Sequence, residues 1–143
     1  RPSIAAVAAN NNGRSAGLTA PSGPAQQEVI RQALAEAGVR PAEVCIAECH
    51  GTGTSLGDPI ELGALCSVHG GRGGRDGASV LLVGSVKSQL GHAEAAAGAV
   101  AFCKLLATMA AMARVAVPSA HLRVVNPHLV TQSHGEFSHT IEV

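Results

Sequence analysis

Two histidines, His50 and His92, each end an apolar run and stand just ahead of a segment that starts a helix. The first follows Val44-Cys45-Ile46-Ala47-Glu48-Cys49 and opens Gly51-Thr52-Gly53-Thr54-Ser55-Leu56-Gly57-Asp58-Pro59-Ile60-Glu61. The second ends Val83-Gly84-Ser85-Val86-Lys87-Ser88-Gln89-Leu90-Gly91. Two imidazoles placed this way can converge on one small acidic group. Such a pair can stabilise an enolate or an oxyanion, so carbon–carbon chemistry is the leading expectation.

His92 is expected at the start of a long helix, where unpaired N–H groups and the dipole favour negative charge. A neutral imidazole there can donate one N–H to a developing oxyanion. A lone histidine would read as a cap or core residue; a second in a matching setting shifts that balance. Gly51, Gly53 and Gly57 let the backbone approach a substrate closely. Thr52 and Thr54 offer hydroxyls to a polar tail such as an amide arm, or satisfy their own loop; the two readings stand level. Asp58 reads as a helix cap, with Pro59 at the first helical position and Glu61 at the third, completing a capping box. Glu61 has a second reading, as partner of Lys87, because an isolated buried charge is costly. Lys87, five residues before His92, either orients and polarises the His92 region or is a solvated loop lysine.

Other chemistries find less support. The Gly51–Gly57 loop lacks the Lys-Ser/Thr ending of a P-loop and does not match the dinucleotide-binding pattern. A metal site from His50, Asp58 and His92 has no local H-x-x-x-H or H-E-x-x-H spacing behind it, so no metal is expected. His69, His121, His128, His134 and His139 read as surface or loop residues.

The elements that must position these groups follow from periodicity. Ser3–Ala9 reads as a short buried strand, and Asn10–Ser15 as a turn. Thr19–Pro24 is a polar loop, after which Val29, Ile30, Ala33, Leu34 and Ala37 recur at helical spacing. Gly38 fits the end of that helix and Pro41 bars its continuation. Val44–Cys49 is a second strand, and the helix after Gly57 runs to about Val68. Residues 70–77 form a Gly-rich surface loop, and Ser79–Gly84 a third strand. Ala93–Arg114 contains no proline and is apolar nearly all round. Glu94 and Lys104 interrupt it, so a helix buried in a protein core is expected rather than a membrane span. Alternating strands and helices imply an α/β layer structure with parallel pairing.

Composition bounds the rest. The chain has 143 residues, about one domain, and zero formal net charge, which gives no footprint for nucleic acid or an anionic membrane. There is no Trp or Tyr and only two Phe, so the core is built from Ala, Val, Leu and Ile. Cys45, Cys49, Cys66 and Cys103 match no zinc or redox spacing and read as buried reduced thiols of an intracellular protein. No signal peptide is visible, and a start at Arg1-Pro2 reads as a piece of something larger.

At these residues the chain resembles the C-terminal half of a β-ketoacyl synthase, in particular the ketosynthase domain of type I polyketide and related fatty acid synthases. Gly17-Leu18-Thr19-Ala20-Pro21-Ser22-Gly23-Pro24-Ala25-Gln26-Gln27 resembles the family's loop before its helix. Glu48 to Glu61 resembles the first histidine motif and Val83 to Gly98 the second. Val117-Pro118 with Asn126-Pro127 resembles the downstream segment. The likeness covers about residues 3 to 128, and the whole of 1–143 is expected to be one partial ketosynthase domain with 129–143 an unplaced tail.

The resemblance implies a thiolase-like fold, layered α/β/α/β/α, present in part. It implies decarboxylative Claisen condensation of a carrier-bound malonyl unit with an acyl group on a cysteine. His50 and His92 match the two family histidines, Lys87 the lysine that supports the second, with Glu61 its possible partner. Thr52 and Thr54 match threonines near the phosphopantetheine arm. That arm is carried by the acyl carrier protein, the implied partner, and no cofactor is bound directly. A homodimer and a cytoplasmic location, with a plastid left open, are further expectations. Three departures qualify them. The nucleophilic cysteine belongs to a segment upstream of Arg1, and Cys49, which stands where alanine is usual, should point away from His50 along a strand. Gln89 stands where asparagine is usual, and the Gly-rich closing motif is missing. The chain by itself is therefore expected to condense nothing. The rivals are a non-condensing decarboxylase or chain-length partner, an inactive truncated product, and a binding module without chemistry.

Overall fold

A computed structural model describes residues 2–13, 15, 17, 20–70, 81–111, 121–129 and 141–142. Helix α1, Gly23–Ala37, forms where the sequence supplies both of its ends. Ser22 has extended backbone, and its hydroxyl accepts the Ala25 N–H at 3.3 Å. Gly38 closes the helix at φ 64°, its N–H directed at the carbonyls of Leu34 and Ala35. A side chain at this φ would be strained, so glycine fits there.

Strand β1 is Ile46–Glu48 and strand β2 is Leu81–Gly84. Between them helix α2, Gly57–His69, packs against α1. Leu62, Ala64, Leu65 and Val68 of α2 are buried, as are Leu81 of β2 and Val86 just after it. Leu81 is fully enclosed, and burial of such a side chain stabilises by about 1.5–3 kcal/mol. A third strand, β3, Ile141–Glu142, pairs with β2, so the sheet order is β1-β2-β3 with both pairings parallel. The tail that resembled nothing in the sequence thus supplies a strand. Helix α3, Lys87–Leu90, is a single turn after β2. A 3₁₀ turn at Glu94–Ala96 then leads into helix α4, Ala97–Ala110.

Several expectations fail. Residues 3–9 form no strand among the described residues, and Ile4 and Val7 are 65% and 74% exposed. Among the described residues that run pairs with no strand, and an unpaired strand has no ladder to hold it. Helix α4 is not buried: only Ala97 and Thr108 are, while Phe102, Leu106 and Met109 remain exposed. Its all-round apolar character has no cover on that side among the described residues. The helix after Gly57 has no capping box either. It begins at Gly57, behind Leu56, which has helical backbone and makes no side-chain cap. Asp58 and Pro59 therefore sit inside the first turn. His69 is buried at the end of α2, its Nδ1 3.1 Å from the Pro41 carbonyl, so it is no surface residue. Cys45 and Cys103 are exposed and Cys49 and Cys66 half-buried, rather than buried as a set; all four are free thiols. The loop at 71–77, the strand start at 79–80, the helix end at 112–114, Pro118, His134 and His139 lie outside the described residues.

Candidate functional site at the carboxyl end of the sheet

Strands β1 and β2 run the same way, with Ile46 opposite Leu82, Ala47 opposite Val83 and Glu48 opposite Gly84. The ladder continues one step further, where the Cys49 N–H donates to the Gly84 carbonyl at 2.7 Å. Both chains therefore leave the sheet at the same edge. The carboxyl edge of a parallel sheet is where such folds place ligands.

Beyond β1 the backbone turns sharply at Gly51, which has φ 49°. A Cβ on Gly51 would lie 2.7 Å from the Ser85 Cβ. Glycine is required here on both counts, conformation and space. The carboxylate of Glu61 then grips the turn. Its two oxygens accept the His50 N–H at 2.7 Å and the Gly51 N–H at 2.9 Å. On the other side the Ser85 hydroxyl donates to the His50 carbonyl at 3.2 Å. The backbone of His50 is thus held from α2 and from the end of β2 together. Glu61 neither completes a capping box nor pairs with Lys87, because its charge is already used on two amides. Bonds of this kind to a carboxylate are roughly twice as strong as neutral ones.

His92 sits between α3 and the 3₁₀ turn, after Gly91 at φ 74°. Glu94 also adopts a left-handed backbone, φ 46°, unusual for a residue with a side chain. That turn directs the Glu94 N–H to His92 Nδ1 at 3.0 Å. A nitrogen that accepts carries no proton, so the neutral ring keeps its N–H on Nε2. The His50 and His92 rings meet edge to face, with centroids 5.1 Å apart and planes at 85°. The two histidines, 42 positions apart in sequence, are brought together.

A cavity of about 510 Å³ lies beside them, with Thr52, Asp58, Glu61, Lys87, His92 and Asn126 in its wall. His50 and Thr54 are not in that wall. The Thr54 hydroxyl accepts the Gly57 N–H at 3.0 Å, which is the self-satisfying reading of that residue. Thr52 does reach the cavity. Lys87 stands at the first residue of α3, half-buried, and pairs with no carboxylate among the described residues. Asp58 serves the loop. One oxygen accepts the Gly53 N–H at 3.1 Å and the other the Asn126 side-chain amide at 3.1 Å. Asn126 also donates to the Thr54 carbonyl at 3.0 Å, so it latches the downstream segment onto the first histidine loop.

Cys49 lines the cavity as well. Burial, then the carboxylates of Glu61, Glu48 and Asp58, push its thiol well above the ordinary range. A thiol so protonated is a poor nucleophile. Among the described residues no group of three or more His, Cys, Asp or Glu is placed to hold a metal ion. No helix among them is long and apolar enough to cross a membrane.

Sequence reasoning missed one pair. Lys104 of α4 reaches Glu48 at 2.6 Å, and the Glu48 side chain retains only 2% exposure. The other Glu48 oxygen accepts the Val86 N–H at 2.5 Å. The available signal was that each charge stands alone in an apolar run, and buried charges need partners.

Residues 2–123 match the family described as beta-ketoacyl synthase, C-terminal domain. The polyketide synthase GfsA of Streptomyces halstedii is 52% identical over 120 residues, which is 80% of this chain and 2% of that protein. Erythronolide synthase EryA3 of Saccharopolyspora erythraea is 59% identical over 95 residues, 66% of this chain and 3% of that protein. Among solved structures, the ketosynthase domain OzmH KS7 for oxazolomycin, from Streptomyces albus JA3453, superposes with a TM-score of 0.80. It is 38% identical and matches 97% of this chain and 23% of its own. The ketosynthase from module 6 of the bacillaene synthase of Bacillus subtilis 168 gives 0.77 at 37% identity, over 87% of this chain and 22% of its own. The chain therefore spans a small part of each of these relatives. With a matching family over residues 2–123, a shared thiolase-like fold and paired histidines at one sheet edge, the chain belongs to the β-ketoacyl synthases as their C-terminal domain.

Proposed function

We propose that this chain is the histidine-bearing part of a polyketide synthase ketosynthase that extends an acyl thioester with a malonyl-type unit. The observation that carries the reading is the edge-to-face pair of His50 and His92, beside a cavity at the carboxyl end of the sheet. In the reaction, the bond between the malonyl methylene and its carboxylate breaks and carbon dioxide leaves. The electron pair stays behind as a thioester enolate. That carbon attacks an acyl thioester, the carbon–sulfur bond breaks, and a cysteine thiolate departs.

The ring N–H groups are the donors for the oxygen on which charge gathers, and His92 is set for this by its Nδ1 contact to Glu94. Lys87, in the same cavity wall, adds a positive charge on the His92 side, with no carboxylate paired to it among the described residues. Thr52 is the hydroxyl available to a phosphopantetheine amide, while Thr54 is committed to its loop. Glu61 and Asp58 support the loop and touch no substrate. The arm, with malonyl and acyl groups, is brought by an acyl carrier protein, and the working enzyme is a dimer. Cys49, the thiol in the cavity wall, is held protonated by burial and the nearby carboxylates and is not assigned as the acylated cysteine. The chain alone performs no condensation.

The test uses the intact ketosynthase. His50→Ala and His92→Ala are each expected to slow release of labelled carbon dioxide from malonyl carrier protein by about 10²–10³-fold, the loss typical of one oxyanion donor. Condensation is assayed separately with a pre-loaded acyl enzyme. Unchanged decarboxylation in both variants refutes the assigned roles. A parent that decarboxylates but never condenses identifies it as a non-condensing partner instead.

A further inference from the structure

We propose that Glu48 and Lys104 are a positioning pair that fixes the separation of the His50 and His92 rings; the proposal rests on the reading of these histidines given above. Glu48 is the last residue of β1, two before His50. One of its carboxylate oxygens accepts the Val86 N–H, at the entry to α3 and six residues before His92. The other takes the Lys104 ammonium, on α4 and twelve residues after His92. A single carboxylate therefore ties the His50 strand to both flanks of the His92 segment.

The segment needs such a tie. His92 is exposed and follows a glycine with left-handed backbone, and among the described residues its ring is held by one hydrogen bond, from the Glu94 N–H, beside its contact with the His50 ring. Helix α4 gives it little support, because only Ala97 and Thr108 of that helix are buried. The ion pair is withdrawn from water, with the Glu48 side chain 2% and the Lys104 side chain 14% exposed. A buried pair is often no more stabilising than an apolar replacement, and its best-attested use is to specify one arrangement. Neither side chain is in the cavity wall, so the pair acts through the rings and not on substrate.

The experiment is kinetic and uses the intact ketosynthase with malonyl carrier protein. Glu48→Gln, Lys104→Met and the double variant are compared for decarboxylation and condensation, together with their thermal unfolding midpoints. Misplacement by about 1 Å is expected to lower kcat for both steps by about 10²-fold with KM unchanged. Lys104→Arg, which keeps the charge, is expected to restore a large part of kcat. The double variant carries no buried charge and folds even if the single variants do not. It is expected to stay slow at a parental unfolding midpoint, because α4 is no longer tied to β1. A double variant with parental kcat shows that the pair only neutralises charge and overturns the proposal. In the same assay, a His92→Ala variant that decarboxylates at the parental rate overturns the reading beneath it.

Discussion

Gly51→Ala tests how the first histidine loop is built. Two penalties act on the new methyl. The backbone at φ 49° is left-handed, which costs about 1–2 kcal/mol for a residue with a side chain. The methyl would also lie 2.7 Å from the Ser85 Cβ, inside contact distance, so strand β2 or the loop must shift. Overpacking of that kind costs about 1–3 kcal/mol. The sum is a loss of about 2–5 kcal/mol. Gly53→Ala is the internal control. Gly53 has φ 78° and nothing within 4 Å of its added methyl, so only the backbone cost of about 1–2 kcal/mol applies. Denaturant unfolding of the two variants in the intact ketosynthase isolates the steric part as their difference. Equal losses would show that the close approach of Ser85 carries no energy, and the account of how His50 is seated would be wrong.

Two further outcomes are expected. Asn126→Ala removes the amide that joins Thr54 and Asp58, at about 1–2 kcal/mol of stability for the part-exposed bonds, and raises KM for the carrier-bound substrate as the 121–129 segment loses its anchor; an unchanged KM in steady-state kinetics would show that the latch does not shape the cavity. The Cys49 thiol keeps its proton in the fold above the ordinary thiol range, so unfolding releases a proton there and stability falls as pH rises past about 8.5; Cys49→Ser should flatten that slope in unfolding experiments between neutral and alkaline pH, and an identical slope contradicts the burial.

Much of the frame was legible because it depends on local signals. Helical spacing after Pro24 and the stop at Gly38 mark α1, whose cap Ser22 lay hidden in the loop, and apolar runs mark β1 and β2. Their parallel pairing follows from the helix between them, and it brings the histidines to one edge. What the sequence hid was where each charge is used. Glu61 looked like a capping residue or a partner for Lys87, yet its oxygens hold two backbone amides ten and eleven residues earlier. The true ion pair joins residues 56 positions apart, a distance that no periodicity reveals. Helix α4 and residues 3–9 misled for another reason. Their apolar character is real, but burial depends on neighbours that an isolated stretch of sequence does not specify.

The pairing of β2 with β3 joins Leu81 to Ile141, 60 positions downstream. Closing a loop of that size costs chain entropy before any ladder bond repays it, so this strand pairing is expected to form after that of β1 with β2. Until it forms, one side of β2 presents unmet amides and carbonyls to whatever strand arrives first. Assembly of this sheet is therefore a race between a distant segment of the same chain and a neighbouring molecule, and protein concentration during refolding should decide which one wins.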